Sequence, residues 1–301
     1  MNRRQFNTRM IGAAFAAVLP GCATVGKQGK EGDLAAVDTH AHIFKRGLRL
    51  ADVRRYAPDY DASLEDYLAM LDRHGIARGV LVQPSFLGND NHFLLEGLRQ
   101  SPQRLRGIAV VDPATAPNDL AEMNAAGVVG IRLNLVGMPL PDFSAAPWPE
   151  FFRQVARLGW QVEVHREARD LPRILPPLLR AGVNVVVDHF GRPDPTQGVN
   201  DPGFRYLLDV ANTRQVWVKL SAAYRNGANG VGEQIAQDAI PLLRNSFGVE
   251  RLMWGSDWPH TQFEKSVNYD QVHALIAHWL PDPTEQKAVL VDTPSALFRF
   301  S

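Results

Sequence analysis

Nine histidines occur in the 301 residues, and four of them stand beside a carboxylate or another histidine in apolar surroundings. His40 and His42 follow Asp38, His165 follows Glu163, and His189 follows Asp188. Side chains alternate along a strand, so His40 and His42 share one face. Two imidazoles on one face suit a divalent ion, although a lone His-x-His is more often an exposed or hydrogen-bonded pair. Asp257, in Gly255-Ser256-Asp257, adds a carboxylate. Imidazoles grouped with a carboxylate can move protons and activate water. His74, His92, His260, His273 and His278 fall in helix or loop patterns and read as surface or core residues.

These residues close apolar, β-branched runs that read as strands: Leu34 to His40, Arg78 to Val82, Leu105 to Val111, Val129 to Leu135, Trp160 to His165, Val183 to Asp188, Val216 to Leu220 and Arg251 to Gly255. A helix-length stretch follows each one. Ser63-Leu64-Glu65-Asp66 reads as a capped helix start. Strand alternating with helix implies parallel strands covered by helices, and the expected fold is a single-domain (β/α)8 TIM barrel over residues 34–301. An open doubly wound sheet is the competing arrangement. In a barrel the strand ends, and with them the histidines, meet on the face where such folds do chemistry.

Lys and Arg number 32 against 32 Asp and Glu, which gives no net attraction for a nucleic acid. The single cysteine, Cys22, rules out an internal disulfide and any multi-thiolate metal site. Arg3, Arg4, Arg9, Lys27 and Lys30 occupy the first residues without an acid, and the apolar run Met10 to Leu19 behind them is too short to span a bilayer. Residues 1–33 therefore read as an export signal and tether. Asn2-Arg3-Arg4-Gln5-Phe6 resembles a twin-arginine signal, and Leu19-Pro20-Gly21-Cys22 resembles a lipoprotein box in which Cys22 carries the lipid. The expectation is a periplasmic or membrane-anchored protein whose only membrane contact is that anchor. An ordinary cleaved signal peptide is the plainer alternative.

The ordered set His40-x-His42, His165, Asp188-His189-Phe190-Gly191-Arg192-Pro193, Lys219-Leu220-Ser221 and Gly255-Ser256-Asp257-Trp258-Pro259 resembles the amidohydrolase superfamily, in its amidohydrolase 2 branch. The likeness runs from about Ala36 to Phe300. That branch holds pyrone-dicarboxylate lactonases, sugar-lactone hydrolases and some decarboxylases. The resemblance implies a hydrolase opening a lactone or similar cyclic ester, with a decarboxylase or a low-turnover binding lipoprotein as alternatives.

On this reading His40, His42, His165 and Asp257 hold one divalent metal ion, zinc or manganese. Asp257 accepts the proton of the attacking water and returns it to the leaving oxygen, while His189 binds the carbonyl oxygen or the water. Metal-free members of the branch are expected to lack the strand-five histidine, and His165 is present here. Without a metal, His40, His42 and His189 would polarise the carbonyl and Asp257 alone would activate water. Ser85, Arg132, Asn134, Ser221, Tyr224 and Arg225 at the other strand ends would bind a small lactone or carboxylated ring. The loop after Arg132 carries Met138 and no basic residue, so a neutral or monoanionic lactone is the expected substrate. The oligomeric state is not legible.

Overall fold

The computed structural model describes residues 36–300. The twin-arginine and Cys22 readings lie outside the described residues.

Eight strands form one sheet: β1 Val37–Ala41, β2 Arg78–Val82, β3 Leu105–Ala109, β4 Val128–Asn134, β5 Gln161–His165, β6 Val185–Val187, β7 Val216–Ser221 and β8 Leu252–Gly255. They pair in parallel and in chain order. Ala41 bridges Trp258 in parallel, and Asp257 N donates to His40 O at 2.7 Å and His42 N to Trp258 O at 2.8 Å. These bonds bring β8 back to β1 and close the barrel. A doubly wound sheet would break the strand order at a switch point, and no such break occurs.

Helices α1 Leu64–Arg73, α2 His92–Gln100, α3 Pro117–Ala125, α4 Trp148–Arg157, α5 Leu171–Arg180, α6 Pro202–Asp209, α7 Val231–Phe247 and α8 Tyr269–Trp279 alternate with the strands. Ser63 caps α1, its hydroxyl accepting from Asp66 N at 3.0 Å, as the sequence pattern predicts. That helix buries Leu64, Tyr67 and Leu71, spaced to lie on one face. Beyond α8 the chain adds two short helices, α9 Pro283–Lys287 and α10 Thr293–Leu297, which the sequence pattern does not announce.

The barrel interior has an apolar and a charged layer. Val37, Val80, Val82, Ile108, Val129, Val186 and Met253 pack with Phe298 and Phe300 from the C-terminal segment. Phe300 lies beneath Arg78 and Arg106 near the strand starts, so this segment plugs the N-terminal end. Toward the strand ends the interior turns polar: His40, Arg132, Glu163, Asp188 and Lys219 are all buried. Such groups persist in a core only when paired, and their pairing organises the site.

Candidate active site

Four imidazoles meet at the C-terminal mouth. The His40 ring centroid lies 5.0 Å from that of His42 and 4.9 Å from that of His189, and His189 is 5.0 Å from His165. β1 supplies His40 and, one residue past its end, His42; β5 ends on His165, and His189 follows β6. Close approach at the β1 to β8 seam depends on Gly255, where a Cβ would stand 2.7 Å from the Cβ of His40. Below the rings, Asp38 ties the seam: its Oδ2 accepts from Ser256 Oγ at 2.6 Å and Tyr269 OH at 3.2 Å, and its Oδ1 from Ser256 N at 2.8 Å.

Asp257 is 1% exposed and its two oxygens face different surroundings. Oδ2 accepts from Tyr224 OH at 2.6 Å and from Arg225 Nε at 2.6 Å. Oδ1 faces His42 Nε2 at 3.5 Å and His40 Nε2 at 3.7 Å. Burial alone would raise its pKa, but the Arg225 guanidinium beside it outweighs burial and holds the carboxyl well below the usual range. Asp257 is therefore a carboxylate at neutral pH with one committed and one available oxygen. Tyr224 and Arg225 sit on a turn after β7 that α7 approaches closely; a Cβ on Gly232 would lie 2.1 Å from Ala223 O.

His40, His165 and His189 are neutral at neutral pH, and several proton positions follow from the partners of the rings. Burial pushes His189 down to about 3 and takes His40 and His165 well below the ordinary value. His42 Nδ1 lies 2.7 Å from Val82 O, an atom that can only accept, so the proton sits on Nδ1 and the Nε2 lone pair faces the site. His189 Nδ1 pairs with Ser221 Oγ at 2.8 Å. Lys219 Nζ lies 3.1 Å from His40 Nδ1 and 2.6 Å from Glu163 Oε1. An ammonium can only donate, which makes Nδ1 the acceptor and leaves His40 Nε2–H aimed at the mouth.

Several backbone angles at this rim lie in the left-handed region despite bearing side chains: His189 (φ 53°), Arg192 (φ 50°), Ala222 (φ 47°), Asp257 (φ 61°) and His260 (φ 62°). This conformation is uncommon outside glycine. Its concentration after β6, β7 and β8 accords with strain held where side chains must turn over a site.

Three atoms from His40, His189 and Asp257 lie within 4.8 Å of one another, close enough for a metal ion. His40 Nε2 is buried without a hydrogen-bond partner. With His40 Nδ1–H turned to Asp188 Oδ1, 3.4 Å away and itself unpartnered, Nε2 would be free as a ligand. The donors thus fit a divalent ion, but through His189, and neither His42 nor His165 of the expected set belongs to this cluster. His165 Nε2 lies 3.4 Å from Arg192 Nη1. A second group, His40, Glu163 and Asp188, has comparable spacing. Lys219 Nζ already contacts all three residues, at 3.1, 2.6 and 3.7 Å, and answers their charge as an ion would.

The expected substrate contacts divide. Arg132 donates through Nε and Nη2 to Asp188 Oδ2 at 3.1 and 2.9 Å, so it straps β4 to β6 and is not available as a substrate anchor. Ser221, Tyr224 and Arg225 hold His189 and Asp257. Ser85 Oγ has no partner and Asn134 Oδ1 receives Arg55 Nη2 at 3.4 Å. Trp258 is buried against Tyr67, and Phe190 against Trp279. His260, read as peripheral, joins the site: its Nδ1 is 3.2 Å from Tyr224 OH, and burial lowers it to about 4. Lys219 and Glu163 were legible as charges inside β-branched strands, which a barrel interior admits only in pairs. Beside the site a cavity of about 330 Å³ is lined by Glu167, Arg192, Arg225 and Asn226 among others.

Comparison with known proteins bears on this geometry. Residues 37–300 match the family model described as amidohydrolase. A 2-pyrone-4,6-dicarboxylate hydrolase of Comamonas testosteroni is 35% identical over 87% of this chain and 90% of its own length. A 4-sulfomuconolactone hydrolase of Hydrogenophaga intermedia is 30% identical over 87% and 88%. A crystal structure from Acinetobacter baumannii, described as a probable 2-pyrone-4,6-dicarboxylic acid hydrolase with citric acid bound, superposes with a TM-score of 0.86 at 42% identity, covering 88% of this chain and all (100%) of that one.

Proposed function

The chain belongs to the amidohydrolase family, and from that premise we propose that this hydrolase opens a lactone ring by attack of water on the ring carbonyl. The observation that carries the reading is the division of Asp257, with Oδ2 pinned by Tyr224 and Arg225 and Oδ1 facing His40 and His42.

A water held between Asp257 Oδ1 and the His42 Nε2 lone pair can donate to both, which aims its oxygen outward. As that oxygen bonds to the carbonyl carbon, its proton passes to Asp257 Oδ1, and the carbonyl electrons move onto oxygen. His40 Nε2–H and the neighbouring His189 ring are placed to bind the developing oxyanion. Collapse of the adduct breaks the ring C–O bond, and Asp257 returns its proton to the departing oxygen, giving the ring-opened hydroxy acid. The low pKa of Asp257 makes it a weak base before substrate binds. Exclusion of water and approach of the oxyanion would raise it. A divalent ion, zinc or manganese, would be held by His189, Asp257 and His40 in its Nδ1–H form, in place of the Nε2–H contact, and would lower the pKa of a bound water.

Steady-state kinetics on a panel of sugar lactones, muconolactone-type rings and pyrone carboxylates tests the reading. Asp257→Asn should lower kcat by about 10²- to 10⁴-fold on whichever lactone is turned over. Near wild-type turnover by that variant would remove Asp257 from the mechanism. Decarboxylation of a carboxylated ring, without ring opening, would favour the alternative enzyme class.

The N-terminal residues support an exported protein anchored by lipid at Cys22. Membrane fractionation of wild type and Cys22→Ala is the check. Membrane attachment should be lost in the variant, and equal partitioning of the two forms counts against the anchor.

A further inference from the structure

The mouth of the barrel holds an arginine that forms no ion pair among the described residues. Arg132 is paired with Asp188 and Arg225 with Asp257. Arg55, on the loop between β1 and α1, reaches only the Asn134 amide oxygen, at 3.4 Å, and the Tyr56 ring, whose centroid is 5.8 Å away. Among the described residues Arg55 forms no ion pair with a carboxylate. Its stem crosses the loop after β4 where Gly137 carries no side chain: a Cβ there would lie 3.5 Å from Arg55 Cδ. The loop that lacks a basic residue of its own is thus covered by one from across the mouth. Arg55 is exposed at the rim, and Arg132 and Arg225 lie near enough to lower its pKa while Glu167 acts against them from a distance beyond an ion pair. A guanidinium among like charges and without an ion-pair partner is placed to meet an incoming anion.

We propose that Arg55 is a specificity-determining residue that binds an acidic substituent of the lactone on the β4 side of the mouth. The inference rests on the lactone-hydrolase reading and gives it a substrate class. A lactone that carries a second acidic group is accepted, in place of the neutral or monoanionic ring expected from the Met138 loop, because the missing charge comes from a different element. Guanidinium suits the task, since its fork can take both oxygens of a carboxylate.

The test compares the full-length protein with Arg55→Met and Arg55→Lys, using 2-pyrone-4,6-dicarboxylate and uncharged δ-valerolactone as probes. The ratio of kcat/KM for the dicarboxylate over that for the neutral ring should fall about tenfold or more in Arg55→Met. The loss should lie mainly in KM, with part recovered in Arg55→Lys. A ratio within about twofold of wild type, or an equal fall on both probes, overturns the proposal. Calorimetric binding of the dicarboxylate decides the matter without turnover. If wild type opens neither ring, the lactone reading fails, while a weaker dicarboxylate affinity in Arg55→Met still supports Arg55 as an anion contact and an unchanged affinity removes it.

Discussion

His165 and His189 are rival candidates for one metal-ligand position. Both close or follow an inward-facing strand, and position alone does not rank them. In the folded site the His189 ligand atom gathers with those of His40 and Asp257, whereas His165 Nε2 faces Arg192. Zinc titration of metal-stripped protein separates the two. His189→Ala should weaken binding by about tenfold or more, since loss of even an outer partner of a metal ligand commonly costs that much. His165→Ala should cost less. The reverse ranking would restore the set His40, His42, His165 and Asp257.

Buried polar straps near the site join strands that are adjacent or one strand apart. Asp38 and Ser256 join β1 to the end of β8, Arg132 and Asp188 join β4 to β6, and Glu163 and Lys219 join β5 to β7. The seam is the most local of these and the simplest to probe. In Ser256→Ala, Asp38 loses the 2.6 Å hydroxyl bond and Trp258 N loses its acceptor at 3.0 Å. Leaving buried groups unmet costs about 1–3 kcal/mol apiece, so thermal denaturation should show a midpoint several degrees lower. An unchanged midpoint would mean that the backbone bonds from Asp257 to His40 and from His42 to Trp258 close the barrel unaided.

The whole molecule buries more neutral imidazole than unfolded chain would tolerate in mild acid. His40, His165, His189 and His260 all have lowered pKa values, His189 at about 3 and His260 at about 4. Between those values and the ordinary 6.5 the unfolded state binds protons that the folded state does not, so stability is present above about pH 6.5 and is lost as pH falls. Glu163 runs the other way. Burial raises it to about 7, so the folded state is the one that binds its proton, and stability from that group is lost as pH rises from 4.5 to about 7. Burial raises Asp38 as well, and five lowered histidines, His273 included, outweigh these two carboxyls, so urea denaturation should give a lower midpoint at about pH 5 than at about pH 7. A higher midpoint at the lower pH would show that the buried carboxyls govern.

The alternation of strand and helix was legible because each element must turn an apolar face to a shared core, and that need writes a period into the chain. Strand ends carrying histidines were legible for the same reason: the barrel gathers whatever stands there. Pairing was not. Arg132 could reach a substrate or Asp188 from the same sequence position, and Lys219 could face solvent or the space between Glu163 and His40. Arg55 and His260 lie in loops without periodicity, so nothing local announces that they turn toward the mouth. Which atoms meet across the barrel depends on register and closure, distances set by all eight strands together. The sequence by itself therefore determined the barrel and the neighbourhood of its site; only the tertiary structure decided which charges are spent on one another and which remain for a ligand, because that depends on separations of a few ångströms between residues far apart in the chain.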